Sequence, residues 1–361
     1  MSDNLRRYRA IQNALRQWYP GEATGNVARH LITLAALISG IVASQSSQLP
    51  RIAAKVPDGT KPESRVKRYG RWVKNQHVSD ESYFLPYAER LLACLALETL
   101  VLVIDGSVVG RGCVALMVHV VYKGRALPLA WLVRAGTKGH FSEDLHITIV
   151  KQVQELLPVG ADVVFLGDGE FDGTELQKTL ENAGWSYVCR TALTTTATLE
   201  GQRFRLDAMG ACMKPGTFVA FQKVFVTAAA YGPVTTICCW AKGYQEPIYL
   251  VSNLRSGQKA CQYYQKRFRI ETFFSDQKSR GFNLHKSHMS KADRLSRLLI
   301  PCCLAYIWIV YLGTLGERDD WREAIHRTDR CDLSLFQLGM RLVDHFLNED
   351  LPLLVQFHIL I

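Results

Sequence analysis

Tyr264-Gln-Lys-Arg267-Phe-Arg-Ile-Glu271-Thr-Phe-Phe-Ser-Asp-Gln-Lys278 places four polar side chains at offsets 0, 3, 7 and 14. At about 100° per residue these fall within an arc of roughly 60° on one helical face. The stretch therefore predicts a helix that presents one carboxylate among two cations and a phenol. Tyr263, Ile270, Phe273 and Phe274 form a second arc that can pack on a core while the polar stripe faces outward into a groove. An ordinary amphipathic helix with a Glu-to-Lys solvent stripe has the same periodicity, so the choice rests on residues elsewhere.

Two aspartates decide it. Asp105 closes the run Val101-Leu-Val-Ile104 and is followed by Gly-Ser, which reads as a buried strand whose terminal carboxylate emerges at the sheet edge. Asp168 follows Asp162-Val-Val-Phe-Leu-Gly167 in the same way. Two strand-end aspartates and a helical glutamate make three carboxylates that folding can bring together. Like charges a few ångströms apart raise one another's pKa, and a divalent cation removes that penalty. Oxygen-only ligands suit Mg²⁺ or Mn²⁺, and two such ions can activate a nucleophile and stabilise the leaving oxygen of a phosphodiester.

With Asp105, Asp168 and the spacing Tyr264-x2-Arg267-x3-Glu271-x6-Lys278, the chain resembles the Asp-Asp-Glu transposases of bacterial insertion sequences, in the group called insertion sequence four. The resemblance runs from about Leu100 to Gly313 and, more weakly, over Ser64 to Leu92. It implies an α/β fold with a ribonuclease H-like catalytic core, in which Asp105, Asp168 and Glu271 are catalytic and hold the metals. It also implies that Tyr264, Arg267 and Lys278 grip DNA near the cleavage site, that the excised end passes through a hairpin, and that a homodimer assembles across two DNA ends. About 102 residues lie between Asp168 and Glu271, which predicts an inserted subdomain.

Composition agrees with a polyphosphate partner. The 361-residue chain carries a net charge of +10, which favours nucleic acid or an anionic surface. No signal-peptide core follows Met1, and the apolar stretches Leu31 to Ala43 and Leu298 to Gly313 read as buried helices rather than membrane spans. Ten cysteines include the adjacent pairs Cys238-Cys239 and Cys302-Cys303 but no Cys-x2-Cys spacing, so reduced core thiols are expected. The expected setting is the cytoplasm, in association with the nucleoid.

Residues 1–97 read as a helical DNA-binding region. Lys61 to Lys74 holds six cations against one acid, with Tyr69 and Trp72 interleaved. Arg65, Lys67, Arg68, Arg71 and Lys74 on that helix are the candidate phosphate contacts. A solvated charged face is the alternative. Segments 98–190 and 254–315 form the catalytic core in this reading, in the order strand, strand, strand, helix, strand, helix, strand. Between them, 191–253 is a β-rich insertion, and 316–361 is a C-terminal helical region. Ser79 is placed to cap a helix.

Other features carry less. Asp168-x-Glu170-x-Asp172-Gly173 resembles the start of a calcium loop, but position 179 is Thr where a bidentate Glu belongs. His140 and His146 are six apart, a poor same-face spacing for zinc. Trp240 can stack on an unpaired base or fill a core. Binding of terminal inverted repeats and target DNA, followed by metal-dependent cleavage and strand transfer, is the leading reading. A catalytically inactive DNA-binding derivative and a nuclease that cuts without joining are the alternatives.

Overall fold

The computed structural model describes residues 2–137 and 140–359, without the side chain of Asp319. The first 97 residues are helical: α1 (Asp3–Trp18), α2 (Gly25–Ser44), α3 (Leu49–Ala54), α4 (Pro62–Lys74), α5 (Asp80–Tyr83) and α6 (Leu85–Leu95). Prolines open α3, α4 and α6 in their first turns, where no intrahelical N–H partner is lost. Ser79 caps α5 by accepting from the Ser82 N–H, as its position predicts.

A mixed α/β region follows as β1 (Leu100–Gly110), β2 (Cys113–Tyr122), β3 (Arg125–Ala135), α7 (Glu143–Leu156), β4 (Val163–Gly167), α8 (Thr174–Asn182) and β5 (Ser186–Thr191). This is the element order that the hydrophobic runs predict. β1 pairs antiparallel with β2 and parallel with β4, while β4 pairs parallel with β5. The β2–β3 hairpin turns at Lys123 and Gly124, both at positive φ, which matches the right-handed twist of the flanking strands.

Residues 191–253 supply β6 (Thr196–Leu199), β7 (Gln202–Arg205), α9 (Asp207–Gly210), β8 (Thr217–Val226), β9 (Tyr231–Trp240) and β10 (Ile248–Ser252). These strands continue the sheet past β5, giving the order β3-β2-β1-β4-β5-β10-β9-β8-β6-β7. The chain ends in α10 (Gly257–Tyr264), α11 (Arg269–Gln277), α12 (Ala292–Gly316), α13 (Asp319–Ile325) and α14 (Leu335–Asn348).

α2 and α12 are long and apolar enough to cross a membrane, yet 61% and 94% of their apolar windows are buried inside the protein. α12 and α14 approach so closely at two glycines that a Cβ at Gly339 would collide with the Ile309 carbonyl, and one at Gly313 with that of Leu335. Six of the ten cysteines are buried, and all ten thiols are free.

Two expectations are corrected. Asp105 does not end its strand, because β1 runs on past it to Gly110, paired with β2 and with one irregularity after Val108. The signature stretch is not one continuous helix. α10 stops at Tyr264, the chain tightens through the bonds Lys266 N–H to Tyr263 O and Arg267 N–H to Tyr264 O, and α11 restarts at Arg269.

Candidate active site

Strand register brings the two aspartates together. β1 and β4 are parallel neighbours with Val101 beside Val164 and Val103 beside Leu166. Asp105 lies two residues beyond the last of these pairs and Asp168 just past the end of β4, so both acids come to the same end of the β1–β4 ladder. Each is fixed locally: Asp105 Oδ1 accepts from the Gly106 N–H at 2.8 Å, and Asp168 Oδ1 accepts from the Glu170 N–H at 3.0 Å.

α11 delivers the third carboxylate. Its apolar side buries Ile270, Phe273 and Phe274, as the second arc predicts, and the latter two pack against His119 of β2. Asp276 pairs with Arg125 of β3 at 2.8 Å, which ties the end of α11 to the sheet. Burial still pushes the Asp276 carboxyl up to about 6, with Arg125 opposing.

Arg267 joins the three acids. Its Nη2 donates to Asp168 Oδ2 at 2.6 Å and to Asp105 Oδ2 at 3.1 Å, and its Nη1 reaches Glu271 Oε1 at 3.5 Å. Burial pushes the Asp105 carboxyl up to about 6; Arg267 pulls it down, and Asp168 and Glu271 push it up. Lys278 donates to Ser107 Oγ at 2.7 Å on the strand that carries Asp105, and burial lowers its pKa while Asp105 raises it.

The expected outward stripe is therefore only partly outward. Glu271 is exposed, but Arg267, in the turn after α10, is 8% exposed and Tyr264, on the buried side of α10, is 4% exposed. Burial raises the Tyr264 phenol to about 12. Beside this cluster lies a cavity of about 420 Å³ lined by Asp168, Arg190, Tyr244, Tyr264, Arg267 and Phe268 among others. Trp240 is outside that lining, and its Nε1 donates to the Tyr244 carbonyl.

Among the described residues, no group of three or more His, Cys, Asp or Glu is assembled as a bound metal requires. Asp105, Asp168 and Glu271 instead share the Arg267 guanidinium. The donors themselves are all carboxylate oxygens around a stand-in cation, which fits a hard divalent ion in kind.

The loop after Asp168 is braced from below. Glu170 Oε1 accepts from the Phe141 N–H at 2.6 Å and lies 3.6 Å from both His140 Nδ1 and buried His146 Nε2. Sequence spacing gave no hint of this convergence, because the two histidines meet across a loop and not on a helical face.

The basic helix α4 divides into two sets. Arg65 donates to the carbonyls of Ala53, Val56, Asp58 and Thr60 and pairs with Asp58 at 2.8 Å; Arg68 pairs with Asp58 at 2.6 Å. Both thus brace the turn before α4. Lys67, Arg71 and Lys74 remain exposed. With Lys291 and Arg294 they line a groove of about 1070 Å³ that no acidic residue lines among the described residues. Lys291 and Arg294 were missed from sequence, where they stand at the start of a largely apolar helix beside Asp293. Beside them Met289 anchors the far end of β1, its carbonyl accepting from the Arg111 N–H at 3.2 Å.

A family model described as a transposase DDE domain matches residues 98–308, more than half of the chain. No curated protein matches the chain. Among solved structures, it is similar to a cryo-EM structure of a piggyBac transposase synaptic complex with hairpin DNA, at 12% identity and a TM-score of 0.46, covering 97% of this chain and 82% of that one.

Proposed function

The chain belongs to the transposase DDE domain family, and from that premise we propose that it is the transposase of an insertion sequence of the insertion-sequence-four group. It binds terminal inverted repeats and catalyses metal-dependent cleavage and strand transfer in double-stranded DNA, with a hairpin intermediate and a homodimeric synaptic complex. The β1-to-β5 order with α7 and α8 is read as a ribonuclease H-like core. Its setting is cytoplasmic, at the nucleoid.

One observation carries the reading: one guanidinium links Asp105 of β1, Asp168 just past the end of the parallel neighbour β4, and Glu271 of α11. Members of this family use divalent ions, and Asp105, Asp168 and Glu271 would hold Mg²⁺ or Mn²⁺ here, two ions in the full site. When bound, such ions activate the attacking oxygen and stabilise the leaving one.

The chain's own residues supply position. The Gly106 and Glu170 N–H bonds fix which carboxylate oxygens face inward. Lys278, lodged between Ser107 and the Phe274 ring, holds a phosphate at the edge of the site. Lys67, Arg71, Lys74, Lys291 and Arg294 grip duplex phosphates along the groove. Holding the phosphodiester in line with the attacking oxygen lowers the barrier by removing orientational freedom before the chemical step.

The test is incubation of the purified protein with duplexes carrying the element's ends and flanking DNA, with Mg²⁺ or Mn²⁺. Cuts at the repeat boundary that leave 3′-hydroxyls, followed by hairpin or joined products, are expected. Binding of the ends without any cleavage in either metal would contradict the catalytic reading, and cleavage without joining would favour the nuclease.

A further inference from the structure

The Arg267 guanidinium stands where three carboxylates converge, and its grip on them is uneven. Nη2 is shared between Asp168 at 2.6 Å and Asp105 at 3.1 Å, whereas Nη1 meets Glu271 only at 3.5 Å. A single positive charge faces three acids in their ionised form, so the cluster keeps a net attraction for further cation. Arg267 Nε is buried with no hydrogen-bond partner, an unmet donor that penalises this position. The side chain also borders the 420 Å³ cavity lined by Phe268, Tyr264 and Arg190, and the Phe268 ring centroid is 5.7 Å from the guanidinium. A room for the displaced group thus adjoins its present seat.

We infer that Arg267 is a displaceable plug: it holds Asp105, Asp168 and Glu271 together in the metal-free protein and must swing aside into the adjoining cavity before a divalent ion can take its place. The inference rests on the metal-dependent reading above. Carboxylate oxygens bind Mg²⁺ at about 2.1 Å, closer than any of these nitrogen contacts, so ion and guanidinium exclude one another. Their repulsion makes the exchange competitive, and the ion compensates the acids for the cation they lose. Arg267 is a positioning residue in this scheme, acting through the three acids.

The decisive measurement is Mn²⁺ affinity of the full-length protein without DNA, by electron paramagnetic resonance of free Mn²⁺, for the parent, Arg267→Gln and Arg267→Lys. Removing the competitor should tighten Mn²⁺ binding by about tenfold in Arg267→Gln, with Arg267→Lys between the two. The thermal midpoint of metal-free Arg267→Gln should fall below the parent's, and saturating Mn²⁺ should raise it by more than it raises the parent's. Equal or weaker Mn²⁺ affinity in folded Arg267→Gln overturns the plug and leaves the metal site standing. Mn²⁺ binding to neither protein overturns both. Should Arg267→Gln fail to fold, Arg267→Lys decides on the same criterion.

Discussion

Lys278 Nζ donates to the Ser107 hydroxyl at 2.7 Å, which ties the end of the signature segment to the strand that carries Asp105. The contact spans two elements far apart in sequence and leaves the ammonium half-buried beside the Phe274 ring. A phosphate bound at this point would therefore sit at a fixed distance from the carboxylates.

Lys278→Met keeps an aliphatic side chain against Phe274 and deletes the charge. It should slow single-turnover cleavage of terminal DNA by about a hundredfold, because misplacing the reacting phosphate affects the in-line step more than ground-state binding. DNA affinity should change far less. A variant that cleaves at the parental rate would remove Lys278 from the site.

Helix α4 gives a prediction with opposite outcomes on one element. Arg65→Ala should destabilise the protein by about 2 kcal/mol, since its guanidinium joins four carbonyls and Asp58. Lys67→Ala, Arg71→Ala and Lys74→Ala should leave stability within about 0.5 kcal/mol, as exposed changes do. Those three should instead weaken DNA binding and lower its salt slope by about one unit per lost phosphate contact. Denaturant titration and binding at several salt concentrations separate the two sets.

His119 makes stability depend on pH. It is fully buried between β2 and the Phe273 and Phe274 rings, and neither ring nitrogen has a partner. Burial lowers its pKa to about 3 from an ordinary 6.5, so it is neutral when folded but takes up a proton when unfolded below pH 6.5. Its contribution is complete above pH 6.5 and is lost as pH falls from there toward 3, amounting to about 2 kcal/mol by pH 5. Asp105 and Asp276, both raised, act in the opposite direction, so the test is a difference. Urea unfolding at pH 7.5 and pH 5 should show His119→Leu losing less stability on acidification than the parent; equal losses would refute the assignment.

Much of this site was legible in sequence because its signals are local. The runs ahead of Asp105 and Asp168 read as strands from composition alone, and the arc of Ile270, Phe273 and Phe274 marked the buried side of α11. What was not legible depends on distant partners. Arg65 looks like any basic helix residue until the Ala53 and Val56 carbonyls are placed beneath it. The inward turn of Arg267 follows from tight bonds after Tyr264 that a helical wheel does not represent. Lys291 and Arg294 become one wall of a groove only when α12 packs near α4, and Gly106 to Gly110 became strand because β2 offered it partners.

Cleavage by carboxylate variants tests the central claim most directly. Asp105→Asn, Asp168→Asn and Glu271→Gln, each compared with the parent on terminal-repeat DNA with Mg²⁺ and with Mn²⁺, should all lose strand cleavage while retaining specific binding, because the proposed DNA grip is cationic and separate from the three acids. A Glu271→Gln protein, or either aspartate variant, that cuts at the parental rate would contradict the assignment of these residues as the catalytic site.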